Sequence, residues 1–162
     1  MKRFFVFLLC VGLAGFYYST TPSMREEGIT LAPDTQNGEY VYFAAGCGGC
    51  HTSPDAAEDS KKILSGGQKF PSSFGTFVAP NVSMHVAYGI GAWSQDDFVR
   101  AVRQGVSPDG RHYYPAFPYT SYQGMSDQDV VDLWSYWQTL PSSEQKPQVH
   151  DLPIYAKWRR PL

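Results

Sequence analysis

Cysteine is scarce: the 162 residues hold three, and Cys10 lies inside the N-terminal apolar run. Cys47 and Cys50 are the one pair in the remainder, so the chain is not a disulfide scaffold. No second cysteine pair and no close pair of histidines follows, which removes the four-ligand zinc sites. No βαβ pattern surrounds the pair, as a redox-active dithiol would require. Positive charge does not gather into a stripe either: 13 Lys and Arg stand against 15 Asp and Glu, and nucleic acid is not an expected partner. Repeats and low-complexity tracts are absent, and the length suits one domain with a terminal appendage.

What the chain does have is Cys47-Gly48-Gly49-Cys50-His51, a C-x-x-C-H segment. This spacing suits covalent capture of haem c. The two thiols reach the vinyl groups along one porphyrin edge, and the histidine that follows presents its imidazole to the iron. Gly48 and Gly49 lack side chains, so the backbone can turn tightly against the macrocycle edge. A plain disulfide between the cysteines would leave His51 without a purpose. One covalently attached haem c is the expected cofactor, held by Cys47 and Cys50 with His51 as an iron ligand. Aromatic residues are abundant, with 4 Trp, 11 Tyr and 10 Phe, and they suit both a ring-built core and the wrapping of a large flat cofactor.

Lys2 and Arg3 precede an apolar run from Phe4 to Tyr18, the pattern of an export signal. Small-x-small cleavage sites are poor: Gly12-Leu13-Ala14 would end the signal early, and Thr21-Pro22-Ser23 contains a proline. A helix continued to Thr21 has about 18 residues and spans roughly 27 Å at ~1.5 Å per residue, close to the ~30 Å hydrocarbon core. Tyr17 and Tyr18 would then stand at the outer interface, with Lys2 and Arg3 inside. A retained membrane anchor is expected, with a cleaved signal as the alternative; Phe7 makes Cys10 a poor lipoprotein site. Both readings put the remainder on the periplasmic side of a bacterial inner membrane, where haem c is assembled.

Four segments are expected: 1–21 as signal or anchor, 22–33 as a polar tether, 34–141 as the haem domain and 142–162 as a C-terminal extension. Residues 33–46 read as the first helix of the domain, with Asp34 as N-cap and Tyr40, Val41, Phe43 and Ala44 at helical spacing. Residues 52–91 carry many breakers, including Pro54, Gly66-Gly67, Pro71, Gly75, Pro80 and Gly89, and read as a long loop supported by the cofactor. The charged stretch from Asp55 to Lys62 reads as solvated surface. Ser94-Gln95-Asp96-Asp97 opens a helix through Gln104 that stops at Gly105. Ser126-Asp127-Gln128-Asp129 opens another that runs to Leu140, with Val130, Leu133, Trp134 and Trp137 forming an apolar stripe. The expected fold is all-α, with first and last helices packed together and long loops enclosing one haem.

A methionine on the second axial side raises a haem potential. Met24, Met84 and Met125 are the candidates, with His85, His112 and His150 as alternatives. Met24 lies in the tether. Met125 immediately precedes the C-terminal helix and is the expected ligand; its competing reading is a hydrophobic staple onto Val130. Met84 lies in a glycine-containing loop, and His112 in the Gly110-Arg111-His112-Tyr113-Tyr114 run. Arg103 and Arg111 are candidates for the haem propionates. The Pro80 carbonyl is a candidate to orient His51, and Tyr119 and Tyr122 to line the methionine side.

Gly38-Glu39-Tyr40 ahead of CGGCH, PSSFGTFVAPNVS at 71–83, GIGAWSQDDFVRAVRQGVSPDGRHYYPAFPYTSYQGMSDQDV at 89–130 and a closing YWQTLP carry a resemblance. They resemble the cytochrome c modules of bacterial membrane-bound alcohol, gluconate and sorbitol dehydrogenases, over about residues 38–141. The resemblance implies a class I cytochrome c fold, a sulfur ligand from the loop before the last helix, and a periplasmic electron relay. Its donors would be quinoprotein or flavoprotein dehydrogenases, and its acceptors quinones, oxidases or other cytochromes. Multi-haem subunits of that group carry three C-x-x-C-H motifs; one stands here, so the chain looks more like the N-terminally anchored single-haem relatives. The expected function is electron transfer rather than catalysis. One alternative is a haem enzyme with an open axial site acting on peroxide, nitric oxide or a sulfur substrate, although no distal acid–base pair is evident. Another is a fixed subunit of a larger oxidoreductase, its IYAKWRRPL tail meeting a partner or lipid headgroups through Trp158, Arg159 and Arg160.

Overall fold

The computed structural model describes residues 2–20, 22 and 28–158, with backbone alone at 20, 157 and 158. Met24, Arg159, Arg160 and the Trp158 side chain lie outside the described residues. The apolar run forms α1 (Lys2–Thr20), about 28 Å long at ~1.5 Å per residue. Its described side chains are exposed, and among the described residues it is the one helix long and apolar enough to cross a membrane.

The domain helices begin where the capping chemistry places them. Asp34 accepts the N–H groups of Gln36 and Asn37 at 2.9 and 3.1 Å and opens α2 (Thr35–Ala44). The chain then turns through Gly46, at φ 70°, into the one-turn α3 (Cys47–His51). A reciprocal capping box at Ser94 and Asp97 opens α4 (Gln95–Val99), which continues as a π-type turn over Arg100–Gln104 and stops at Gly105, φ 66°. Ser126 caps α5 (Asp127–Trp137), which ends three residues short of Leu140. A last turn, α6, spans Ile154–Trp158.

α2 and α5 cross at Gly38. A Cβ there would stand 2.0 Å from the Asp132 carbonyl oxygen and 2.9 Å from the Tyr136 Cβ, so only glycine permits this approach. Val41 and Tyr42 from α2 meet Val130, Leu133, Trp134 and Trp137 from α5, and Phe98 of α4 completes the core. The expected stripe on α5 is therefore the face that is buried. Asp132, itself buried in this interface, accepts the Asp34 N–H at 2.7 Å and the Asn37 side chain at 2.8 Å, tying the start of α2 to the middle of α5.

The expected helical fold stands, and the one refinement falls in the segment read as a long loop. Within 52–91 the chain forms an antiparallel hairpin, β1 (Lys69–Ser72) with β2 (Gly75–Val78), in the register Phe70↔Phe77 and Pro71↔Thr76. All four β1 residues are exposed, so no inward–outward alternation marks the strand, and Pro71 is tolerated because it lies on an edge. The other edge of β2 pairs through Thr76 with Asp151, which brings residues 143–152 back over the domain. Helices still form most of the regular structure, and the hairpin is a local addition.

Candidate haem-binding site

The site starts from the end of α2. Gly46 sends the chain into α3, which leaves Cys47 half-buried and Cys50 exposed, both as free thiols. Burial pushes the Cys47 thiol up to about 12. At that value Cys47 is held as the neutral thiol rather than the thiolate. A Cβ at position 48 would meet the Tyr42 hydroxyl at 2.8 Å, so glycine is what lets α3 lie against α2.

His51 is held from behind. Its Nδ1 stands 3.1 Å from the Pro80 carbonyl oxygen. A carbonyl oxygen carries no proton, so Nδ1–H is the donor and Nε2 keeps its lone pair for a metal. Burial pulls the imidazole below its ordinary value, outweighing the Pro80 carbonyl that favours the protonated ring, and the neutral form is the ligating one. Two features fix Pro80. Gly66, at φ 74°, has no room for a Cβ, which would stand 2.5 Å from the Ala79 oxygen; its N–H donates to the His51 carbonyl at 2.7 Å. The buried Asn81 amide donates to the carbonyls of Ser143 and Gln145 at 2.9 and 2.8 Å. Neither residue was singled out as a site residue from the sequence, although the Gly66-Gly67 doublet signals a special turn.

Met125 is half-buried against the core cluster at the entrance to α5, and its N–H donates to the Tyr122 carbonyl at 2.9 Å. Met84 packs on the same cluster. Two of the histidine alternatives, His85 and His150, use their rings in hydrogen bonds. His85 Nδ1 accepts the N–H groups of Ala87 and Tyr88, and His150 Nδ1 accepts that of Val78; His112 is placed by its backbone, which pairs with Val106 across a β-bridge and leaves its ring out of that pairing. Of the two candidates for the propionates, Arg103 meets Asp127 at 2.7 Å and Arg111 meets Asp109. Arg100 meets Asp97 at 2.5 Å and keeps a buried Nε without a partner among the described residues. Tyr119 lays its ring where a Cβ at Gly105 would stand, at 2.4 Å, and so packs on the end of the α4 segment. No cluster of three or more His, Cys, Asp or Glu side chains suited to a free metal ion occurs among the described residues.

The donor set thus fits a haem attached through two thioethers and ligated by a preset imidazole. A cytochrome c family model matches residues 35–141. The chain belongs to the cytochrome c family. Membership brings covalently bound haem c, a centre that gains and loses single electrons, and the role of this cytochrome is electron transfer. A "Diheme cytochrome c-type" protein of Cereibacter sphaeroides is 41% identical over 146 residues, which is 90% of this chain and 49% of the relative. The gluconate 2-dehydrogenase cytochrome c subunit of Pantoea cypripedii is 34% identical, over 82% of this chain and 30% of the subunit. The fructose dehydrogenase cytochrome subunit of Gluconobacter japonicus is 32% identical, over 78% of this chain and 25% of the subunit. The chain spans at most about half the length of these relatives. The likeness to dehydrogenase cytochrome modules, expected from CGGCH and PAFPYTSY, is borne out.

Proposed function

We propose that this cytochrome carries one haem c, bound through Cys47 and Cys50 with His51 and Met125 as axial ligands. It relays single electrons on the periplasmic side of the inner membrane, from a quinoprotein or flavoprotein dehydrogenase to an oxidase or another cytochrome. Residues 1–21 serve as a retained anchor, 22–33 as a tether, 34–141 as the haem domain and 142–162 as a C-terminal extension. The observation that carries the ligand reading is the Nδ1 bond from His51 to Pro80, which leaves Nε2 as the free lone pair. The single C-x-x-C-H in these 162 residues supports one haem. Met125 is supported by its place ahead of capped α5, half-buried against the core.

The haem supplies the redox change; the chain's own residues exclude water, fix the imidazole tautomer and hold the sulfur. Filling both axial positions leaves no open site for a substrate, which separates this reading from a haem enzyme. The test is the weak near-infrared sulfur-to-iron band of the oxidised protein. It is expected in the wild type and absent in Met125→Ala, with a lowered reduction potential in the variant. A band that survives Met125→Ala rejects Met125 as the ligand, and high-spin wild-type iron that binds cyanide readily rejects the electron-carrier reading.

A second reading, a fixed subunit rather than a mobile carrier, is favoured by the relatives named as cytochrome subunits of dehydrogenases. Co-purification of a dehydrogenase at fixed stoichiometry after detergent extraction supports the fixed subunit. Recovery of the cytochrome alone supports the carrier.

A further inference from the structure

We infer that Tyr122 is a positioning residue for the axial methionine, strapping the Met125 turn to the helix that delivers the haem-attachment segment. This inference rests on the reading of Met125 as the iron ligand. The Tyr122 hydroxyl donates to the Ala45 carbonyl at 3.0 Å, joining residues far apart in the chain. Ala45 is the C-cap of α2, and its carbonyl is one of those a helix end leaves without an intrahelical partner. It stands two positions before Cys47. The phenol therefore ties itself to the point from which the thiols and His51 are launched.

The other end of Tyr122 holds Met125. The Tyr122 carbonyl accepts the Met125 N–H at 2.9 Å, closing the turn 122–125, and the Tyr122 N–H donates to the Tyr119 carbonyl at 2.9 Å. On its far side Met125 is followed by Ser126, whose Oγ accepts the Asp129 N–H at 3.1 Å as the cap of α5. Met125 is thus fixed between a capped helix and a closed turn. Among the described residues, the hydrogen bond from that turn to the α2 end runs through one hydroxyl. Removing it leaves the turn's own bond and the cap intact, so the fold persists while the sulfur is held less firmly. Tyr119 is the internal control: it belongs to the same aromatic loop, and its hydroxyl makes no hydrogen bond among the described residues.

The experiment follows the near-infrared band of the oxidised full-length haem protein against pH for wild type, Tyr122→Phe, Tyr119→Phe and Met125→Ala. Far-UV circular dichroism is recorded on the same samples. Wild type and Tyr119→Phe are expected to lose the band at a common midpoint. Tyr122→Phe is expected to lose it at lower pH, with about fivefold more sulfur-free protein at a given pH, the equivalent of one ordinary hydrogen bond, and with unchanged helix content. Met125→Ala is expected to show no band at any pH. A Tyr122→Phe midpoint equal to that of wild type overturns the strap and leaves the ligand reading standing. Band loss in Tyr122→Phe that occurs only together with loss of helix overturns the positioning role. A band retained in Met125→Ala overturns the ligand reading, and the strap with it.

Discussion

At the scale of single residues, the site depends on glycines where backbone meets backbone. Gly38→Ala places a methyl 2.0 Å from the Asp132 carbonyl oxygen, which no side-chain rotation relieves. The expected cost is about 3 kcal/mol, read by denaturant unfolding, because α2 and α5 must separate. Gly66→Ala combines the left-handed backbone, φ 74°, with a 2.5 Å approach to the Ala79 oxygen. It is expected to destabilise by about 2 kcal/mol. It should also displace Pro80 from His51, seen as a change in the haem spectrum that a merely unstable variant would lack. Unperturbed stability in either variant would refute the close approaches described above. Of these constraints the sequence displays only the Gly66-Gly67 doublet; the crossing at Gly38 depends on a partner helix far along the chain.

At the scale of elements, the junction between α2 and α5 contributes to the acid dependence of stability. Burial alone would raise the Asp132 carboxyl; hydrogen bonds from the Asp34 N–H, Asn37 and Gln128 outweigh it and hold the group below the usual carboxylate range. The folded value lies beneath the unfolded one of ~3.9, so the stabilisation is complete above about pH 4 and is lost as pH falls through the folded value. Asp132→Asn is expected to lower neutral-pH stability by about 1–2 kcal/mol and to flatten the decline below pH 4, measured by thermal melts across pH. An acid limb unchanged in the variant would assign it to other carboxylates. Ser126→Ala removes the α5 cap and should cost about 1 kcal/mol. Caps of this kind were legible because the chemistry is local: Asp34, Ser94 and Ser126 stand where their patterns put them, and Gly105 stops the α4 segment. The β1–β2 hairpin was not legible, since an exposed four-residue strand containing Pro71 has no period to read. The same holds for Asn81 and His150, whose bonds reach across more than 60 residues.

At the scale of the whole molecule, an exposed apolar helix is joined to a domain whose thiols and imidazole are set for one cofactor. Deleting residues 1–27 is expected to move the protein from the detergent phase to the aqueous phase in a phase-partition assay, with the haem spectrum unchanged. A full-length protein found in the aqueous phase would contradict the anchor. The central claim is the attachment of one haem through Cys47 and Cys50, and intact mass with peptide mapping tests it most directly. The account predicts native protein heavier than its polypeptide by one haem, with the added mass on the peptide containing CGGCH. Colourless protein from a host competent in haem attachment, at bare polypeptide mass with both thiols free to alkylate, would contradict it.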